Sequence, residues 1–177
     1  MIIPGRTALS RKAITRLLSP KQQVQPCGVD LTLKRILTWT TSGVIDFTNT
    51  RRKTADTAEL PFQLLPTSTQ TSPHDRSTDF VELPHGSYLV EFNETVEMPL
   101  DLMGQIFVRS SLFRSGALVH AGVMDSGYNG VVGAMLQVVN PQGLRLFRDA
   151  KVAQMVFHQM SEEVEGYSGV YQGRTSL

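Results

Sequence analysis

The sequence predicts an all-β chain, a jelly-roll-like β-barrel that carries one short N-terminal helix. Short β-prone runs recur along it with Gly, Pro, Asn and Asp between them, and in the longer runs apolar side chains alternate at a period of two. Its size points the same way: 177 residues with 41% apolar content can bury one substantial core, and no shift in composition marks a second. Residues 1–177 therefore read as a single domain, and many short strands joined by brief turns suggest a barrel or jelly roll.

Each element has its own signal. Residues 1–20 form the helical segment: between Pro4-Gly5 and Pro20, the residues Leu9, Ala13, Arg16 and Leu17 fall at helical spacing, while Ser10, Arg11 and Lys12 make a solvated face. The period then changes. Leu31, Leu33, Leu37 and Trp39 occupy odd positions of one strand, and Tyr88, Val90 and Phe92 share one face of another. Further strands are expected over 105–108, 117–124, 131–139, 144–147 and 152–159. The stretch 67–79, TSTQTSPHDRSTD, has no large apolar residue and reads as a mobile loop. Residues 166–177, GYSGVYQGRTSL, read as a flexible C-terminal tail, whose Tyr167, Tyr171 and Gln172 are suited to closing over a ligand.

Composition excludes several function classes. A formal charge of +1 gives no global field for holding nucleic acid or an anionic membrane, so any phosphate binding must be local. The apolar run 131–139 is interrupted by Gly133 and Gln137 and falls far short of the roughly 20 residues of a membrane-spanning helix. One cysteine, Cys27, cannot form an intrachain disulfide and is expected as core packing. Pro4, Gly5 and Arg6 stand where a signal peptide would begin its apolar stretch, so an intracellular, cytoplasmic protein is expected. Neither a P-loop nor G-x-G-x-x-G occurs, and the four histidines lack zinc-site spacing. His120 reads as a hydrogen-bonded core residue.

Two segments have the chemistry of a site. In GQIFVRSSLFRSG, residues 104–116, a strand runs into a turn holding Arg109, Ser110, Ser111 and Arg114; guanidinium forks pair phosphate oxygens, and hydroxyls or backbone N–H groups fill the remaining acceptors. The plainer reading is a polar turn with two solvated arginines. In AGVMDSGYNG, residues 121–130, Asp125 and Tyr128 sit in a glycine-punctuated turn between apolar runs, which reads as a β-hairpin whose tip lets a ligand approach the backbone. A carboxylate there can orient and deprotonate water, although Asp-Ser-Gly is also an ordinary turn sequence. Backbone groups of Ala121, Gly122, Val123 and Met124, with partners near residues 131–133, are expected to read a planar base.

Taken in order, the segments PCGVDLTL (26–33), GSYLVEFNETVEMPLDLM (86–103), RSSLFRSG (109–116), GVMDSGYNG (122–130), VAQMVF (152–157) and GYSGVYQG (166–173) resemble the superfamily of dUTP nucleotidohydrolases and dCTP deaminases, especially its archaeal-type dUTPase branch. The resemblance implies a distorted jelly roll of the dUTPase type, assembled as a homotrimer with active sites between subunits. It implies hydrolysis of dUTP to dUMP and pyrophosphate, with Mg²⁺ held through the triphosphate. Asp125 resembles the aspartate that orients the attacking water, and Tyr128 the aromatic that packs on the sugar. Arg109, Ser110, Ser111 and Gln154 resemble the phosphate-binding set; Ser110 and Arg114 are also used by the deaminases. In those deaminases a glutamate lies five positions after the glycine that closes the turn; the corresponding residue here is Met135, and no acid occurs between Asp125 and Asp149. A thioether cannot shuttle protons, which argues against deamination. The alternatives are a dCTP deaminase, alone or coupled to hydrolysis, and a non-catalytic nucleotide-sensing trimer.

Overall fold

The period-two runs do form antiparallel strands, in a computed structural model that describes residues 1–64 and 79–177. In chain order the elements are β1 (Ile2–Ile3), α1 (Gly5–Ser10), β2 (Ile14–Thr15), α2 (Pro20–Gln23), β3 (Val24–Gln25), β4 (Gly28–Trp39), β5 (Thr57–Leu60), β6 (Phe80–Leu83) and β7 (Gly86–Glu97). Then follow β8 (Leu102–Val108), α3 (Ser110–Arg114), β9 (Ala117–His120), β10 (Val123–Met124), β11 (Asn129–Val138), β12 (Leu144–Phe147) and β13 (Lys151–Gln159). The main sheet runs β10-β8-β13-β4-β7-β11-β9, with β1 on β13, β2 on β7, and β3 and β5 on β4. It curls into the half-barrel of a jelly-roll-like fold, and β12 pairs β6 separately. Apart from Asp79, the loop expected over 67–79 lies outside the described residues.

The long strands β4 and β7 lie at the centre of this order, and burial follows from that position. Leu31, Leu33, Val90 and Phe92 enter one core with Leu102 and Phe157, each such side chain contributing about 1.5–3 kcal/mol. The first half of β4 is buried on both faces, so Asp30 and Thr32 are enclosed along with the odd-numbered leucines. Trp39, by contrast, is exposed at the strand's end.

Four expectations are corrected. The N-terminal helix does not continue to residue 20: Lys12 takes a left-handed φ of 58°, α1 stops at Ser10, and Ile14–Thr15 pair with Val96 and Thr95 of β7. Burial of Ala13 and Ile14 outweighs the helical spacing of Leu9, Ala13, Arg16 and Leu17. The run 117–124 is two strands, because β9 pairs β11 while β10 crosses to β8; the segment 121–124 therefore does not form a hairpin with 131–133. Cys27 is exposed rather than packed in the core, and His120 is also exposed, its Nε2 lying 3.3 Å from Gln137 Oε1.

Candidate active site

A cavity of about 410 Å³ opens where β10, the 125–128 turn, β11 and the tail meet. Register builds it. Val123 and Met124 pair with Gln105 and Gly104 of β8, which delivers Asp125 to the end of β10. The turn that follows is pinned: Tyr128 N donates to Asp125 O (3.1 Å), Gly127 N to Met98 O (2.9 Å), Met98 N to Tyr128 O (2.8 Å), and the buried Ser126 Oγ to Leu102 O (2.7 Å). Gly127 has φ 77°, a conformation open to glycine, and a Cβ there would lie 2.6 Å from the Gly166 Cα. Among the described residues the exposed Asp125 carboxylate has neither an ion-pair nor a hydrogen-bond partner, so its oxygens are available to a water or ligand.

Tyr128 is almost enclosed. Its Oη donates to Val131 O (2.8 Å), and its ring meets Tyr167 edge to face with centroids 5.6 Å apart. Burial pushes the phenol above its ordinary pKa, with Tyr167 adding to the shift and Arg174 opposing it. The group therefore stays a protonated donor. A Cβ at Gly130 would stand 2.7 Å from that hydroxyl, so glycine leaves room for it.

The tail lies along the same edge. Tyr167 N donates to Ser126 O (2.8 Å), while the Gln172 side chain accepts from Asn129 N (2.9 Å) and donates to Gly127 O (2.9 Å). Tyr171 lines the cavity beneath the guanidiniums of Arg174 and Arg52, 4.9 and 5.9 Å from its ring centre.

The basic cluster is elsewhere. Arg109 precedes α3; its Nε pairs with Asp30 (3.3 Å) and its Nη1 donates to Lys151 O (3.0 Å). Lys151 Nζ also approaches Asp30 (3.6 Å), and Gln154 is the β13 partner of Asp30. Ser110, Ser111 and Arg114 are exposed on α3. Gly104 is the partner of Met124, and Arg109 follows the far end of β8, roughly 17 Å further along at about 3.4 Å per residue. Of the anticipated residues, one chain thus brings together Asp125, Tyr128, Val123, Tyr167 and Tyr171, with Gln172 holding the turn behind them, and keeps Arg109, Ser110, Ser111, Arg114 and Gln154 apart from the cavity. Ala121 and Gly122 are exposed in the crossing between β9 and β10 and do not line it.

Sequence reasoning did not find Thr54, Leu89, Arg174 or Leu177 in the cavity wall, nor Asp30 beneath the basic cluster. Asp30 had a readable signal: a carboxylate inside an apolar strand must be buried and paired. The wall residues had none, since they arrive from distant segments.

A carboxylate just past the end of a strand, an enclosed tyrosine and an aromatic tail, set on a curled antiparallel sheet, define a small-molecule site on a jelly-roll-like fold. The chain belongs to the dCTP deaminase-like family, whose model matches residues 5–160. It is 41% identical over 155 residues to a probable deoxyuridine 5'-triphosphate nucleotidohydrolase of Methanosarcina acetivorans, covering 87% of this chain and 83% of that one. It is 32% identical over 154 residues to the deoxyuridine 5'-triphosphate nucleotidohydrolase of Methanocaldococcus jannaschii, covering 87% and 90%. Among solved structures it is similar to the 2'-deoxycytidine 5'-triphosphate deaminase of Agrobacterium tumefaciens, with a TM-score of 0.62 at 15% identity. That match covers 88% of this chain and 47% of the deaminase, so this chain spans about half its length.

Proposed function

We propose that the protein hydrolyses dUTP to dUMP and pyrophosphate. The observation that carries the reading is that Asp125, whose carboxylate has no partner among the described residues, shares one cavity with Tyr128, beside a β11 strand whose residue 135 is methionine. Asp125 takes a proton from water as the water oxygen bonds to the α-phosphorus; the bond from that phosphorus to the bridging oxygen breaks, and pyrophosphate departs. Such base assistance is worth about 10² to 10⁴ in rate. Tyr128 supports the sugar, and backbone groups near Val123, Met124 and residues 131–133 read the uracil, a rigid edge that can exclude a 5-methyl group by contact.

Mg²⁺ fits this site as a companion of the nucleotide. Among the described residues no three His, Cys, Asp or Glu side chains stand together as a metal cage. The ion would be held chiefly by the triphosphate, near Asp125, and would neutralise phosphate charge. Arg109, Ser110, Ser111, Arg114 and Gln154 bind the phosphate chain from a neighbouring copy in a homotrimer, because one chain holds them too far from Asp125. Tyr167, Tyr171 and Gln172 complete the enclosure.

The test follows pyrophosphate and ammonia together from dUTP and dCTP with Mg²⁺. Pyrophosphate from dUTP, with no ammonia from dCTP, is expected. Ammonia would identify a deaminase, and neither product would identify a binding protein. Asp125→Asn should keep nucleotide affinity and lose at least 10²-fold in kcat, the lower end of what general-base assistance provides; turnover near that of the unaltered enzyme would remove Asp125 from the role of base.

A further inference from the structure

Leu177 lines the cavity together with Asp125 and Tyr128, although no substrate role is assigned to it. Its side chain lies directly on Gly133, so closely that a Cβ on that glycine would overlap it. Its N–H donates to the fully buried Glu91 (3.0 Å), and Arg35 reaches its carbonyl oxygen (3.5 Å). The preceding residues use up the backbone of β11 beside it. Val131 N donates to Arg174 O (3.1 Å), and Gly173 N donates to Asn129 O (2.8 Å). Asn129 N is taken by the Gln172 side chain (2.9 Å).

Val131 and Gly133 are among the positions that read the nucleobase in the proposed function. We infer that residues 173–177 act as a built-in competitor, with Leu177 seated on Gly133 in place of the base, so that this segment must leave β11 before a nucleotide can enter. The inference rests on the proposed nucleotide function and adds a closed, unliganded state to it.

Two features make the contact reversible. Leu177 is still 37% exposed, so little apolar surface holds it down. Glu91 keeps Lys34 Nζ at 2.5 Å and Arg35 at 2.7 Å when the Leu177 amide departs, so release strands no buried charge. A docked segment lowers apparent affinity in proportion to the fraction of molecules it closes.

The experiment compares the full chain with Leu177→Gly and Leu177→Met, measuring the Kd of α,β-imido-dUTP by calorimetry and amide exchange at Val131 without nucleotide. Leu177→Gly should bind roughly three- to tenfold more tightly and exchange faster at Val131, while Leu177→Met restores both values. An unchanged or weaker Kd for Leu177→Gly, with normal dUTP turnover by the unaltered chain, would overturn the inference and leave the hydrolase reading standing. Absence of binding and turnover in all three proteins would overturn both.

Discussion

Glu91 and Glu94 are both fully buried on β7, yet they titrate in opposite senses. At Glu91 the largest influence, burial, raises the pKa, but the Leu177 N–H, Lys34 and Arg35 together outweigh it and hold the carboxyl below the usual range. Its contribution to stability is present above the ordinary glutamate value and is lost as pH falls through the lowered folded value. At Glu94 burial prevails over hydrogen bonds from Thr32 and Gln23, so the pKa is raised. That contribution is present below the ordinary value and disappears as pH rises through the folded one. Glu91→Gln should therefore flatten the acid limb of the stability profile below the ordinary glutamate range. It should cost about 1–3 kcal/mol at neutral pH, since Lys34 and Arg35 can still reach water when their partner is lost. Urea denaturation at neutral and acidic pH measures both; an unaltered acid limb would remove Glu91 as its source.

At the scale of elements, the chain leaves α1 through a residue in a conformation that costs a side chain about 1–2 kcal/mol, Lys12 with φ 58°, just past the helix end at Ser10. Lys12→Gly should raise stability by about 0.5–1 kcal/mol after glycine's own entropic cost, read as a higher denaturation midpoint at constant slope; destabilisation would show that the lysine side chain contributes packing. The same site shows why part of the fold was hidden from local pattern. Alternation marked β4 and β7 because their apolar faces are written in neighbouring residues, whereas the β2 pairing joins Ile14 to Val96 across the chain. The β-prone run from 117 to 124 gives no hint that its halves join different strands. The site divides in the same way. Asp125 and Tyr128 share one glycine-bounded turn, and Tyr167 and Tyr171 are spaced aromatics in a polar tail, so both pairs were legible. Leu89, Thr54, Arg174 and Leu177 become neighbours only through register and tail placement.

At the scale of the molecule, the separation between Asp125 and the basic corner at Arg109 decides how a site is completed. A strand of the length of β8 holds the two ends apart, and no side-chain rearrangement within one chain closes roughly 17 Å. In the proposed trimer, the corner of one copy faces the cavity of the next. Mixing two inactive variants distinguishes this from a site contained in one chain. Asp125→Asn lacks the base but keeps the corner; a Ser110→Ala, Arg114→Ala double variant keeps the base and lacks the corner, and its substitutions fall on exposed residues that leave the core intact. In randomly mixed trimers a given site has its base from the double variant half of the time and its corner from the Asp125→Asn copy half of the time. Co-expressed variants should thus recover about a quarter of the wild-type turnover per site, while separately expressed samples, combined without subunit exchange, remain inactive. Native mass spectrometry establishes that mixed trimers have formed. Given such mixed trimers, failure to recover turnover would mean that each chain completes its own site, and that the basic corner reaches the nucleotide through a rearrangement of the 109–116 segment rather than through a neighbour.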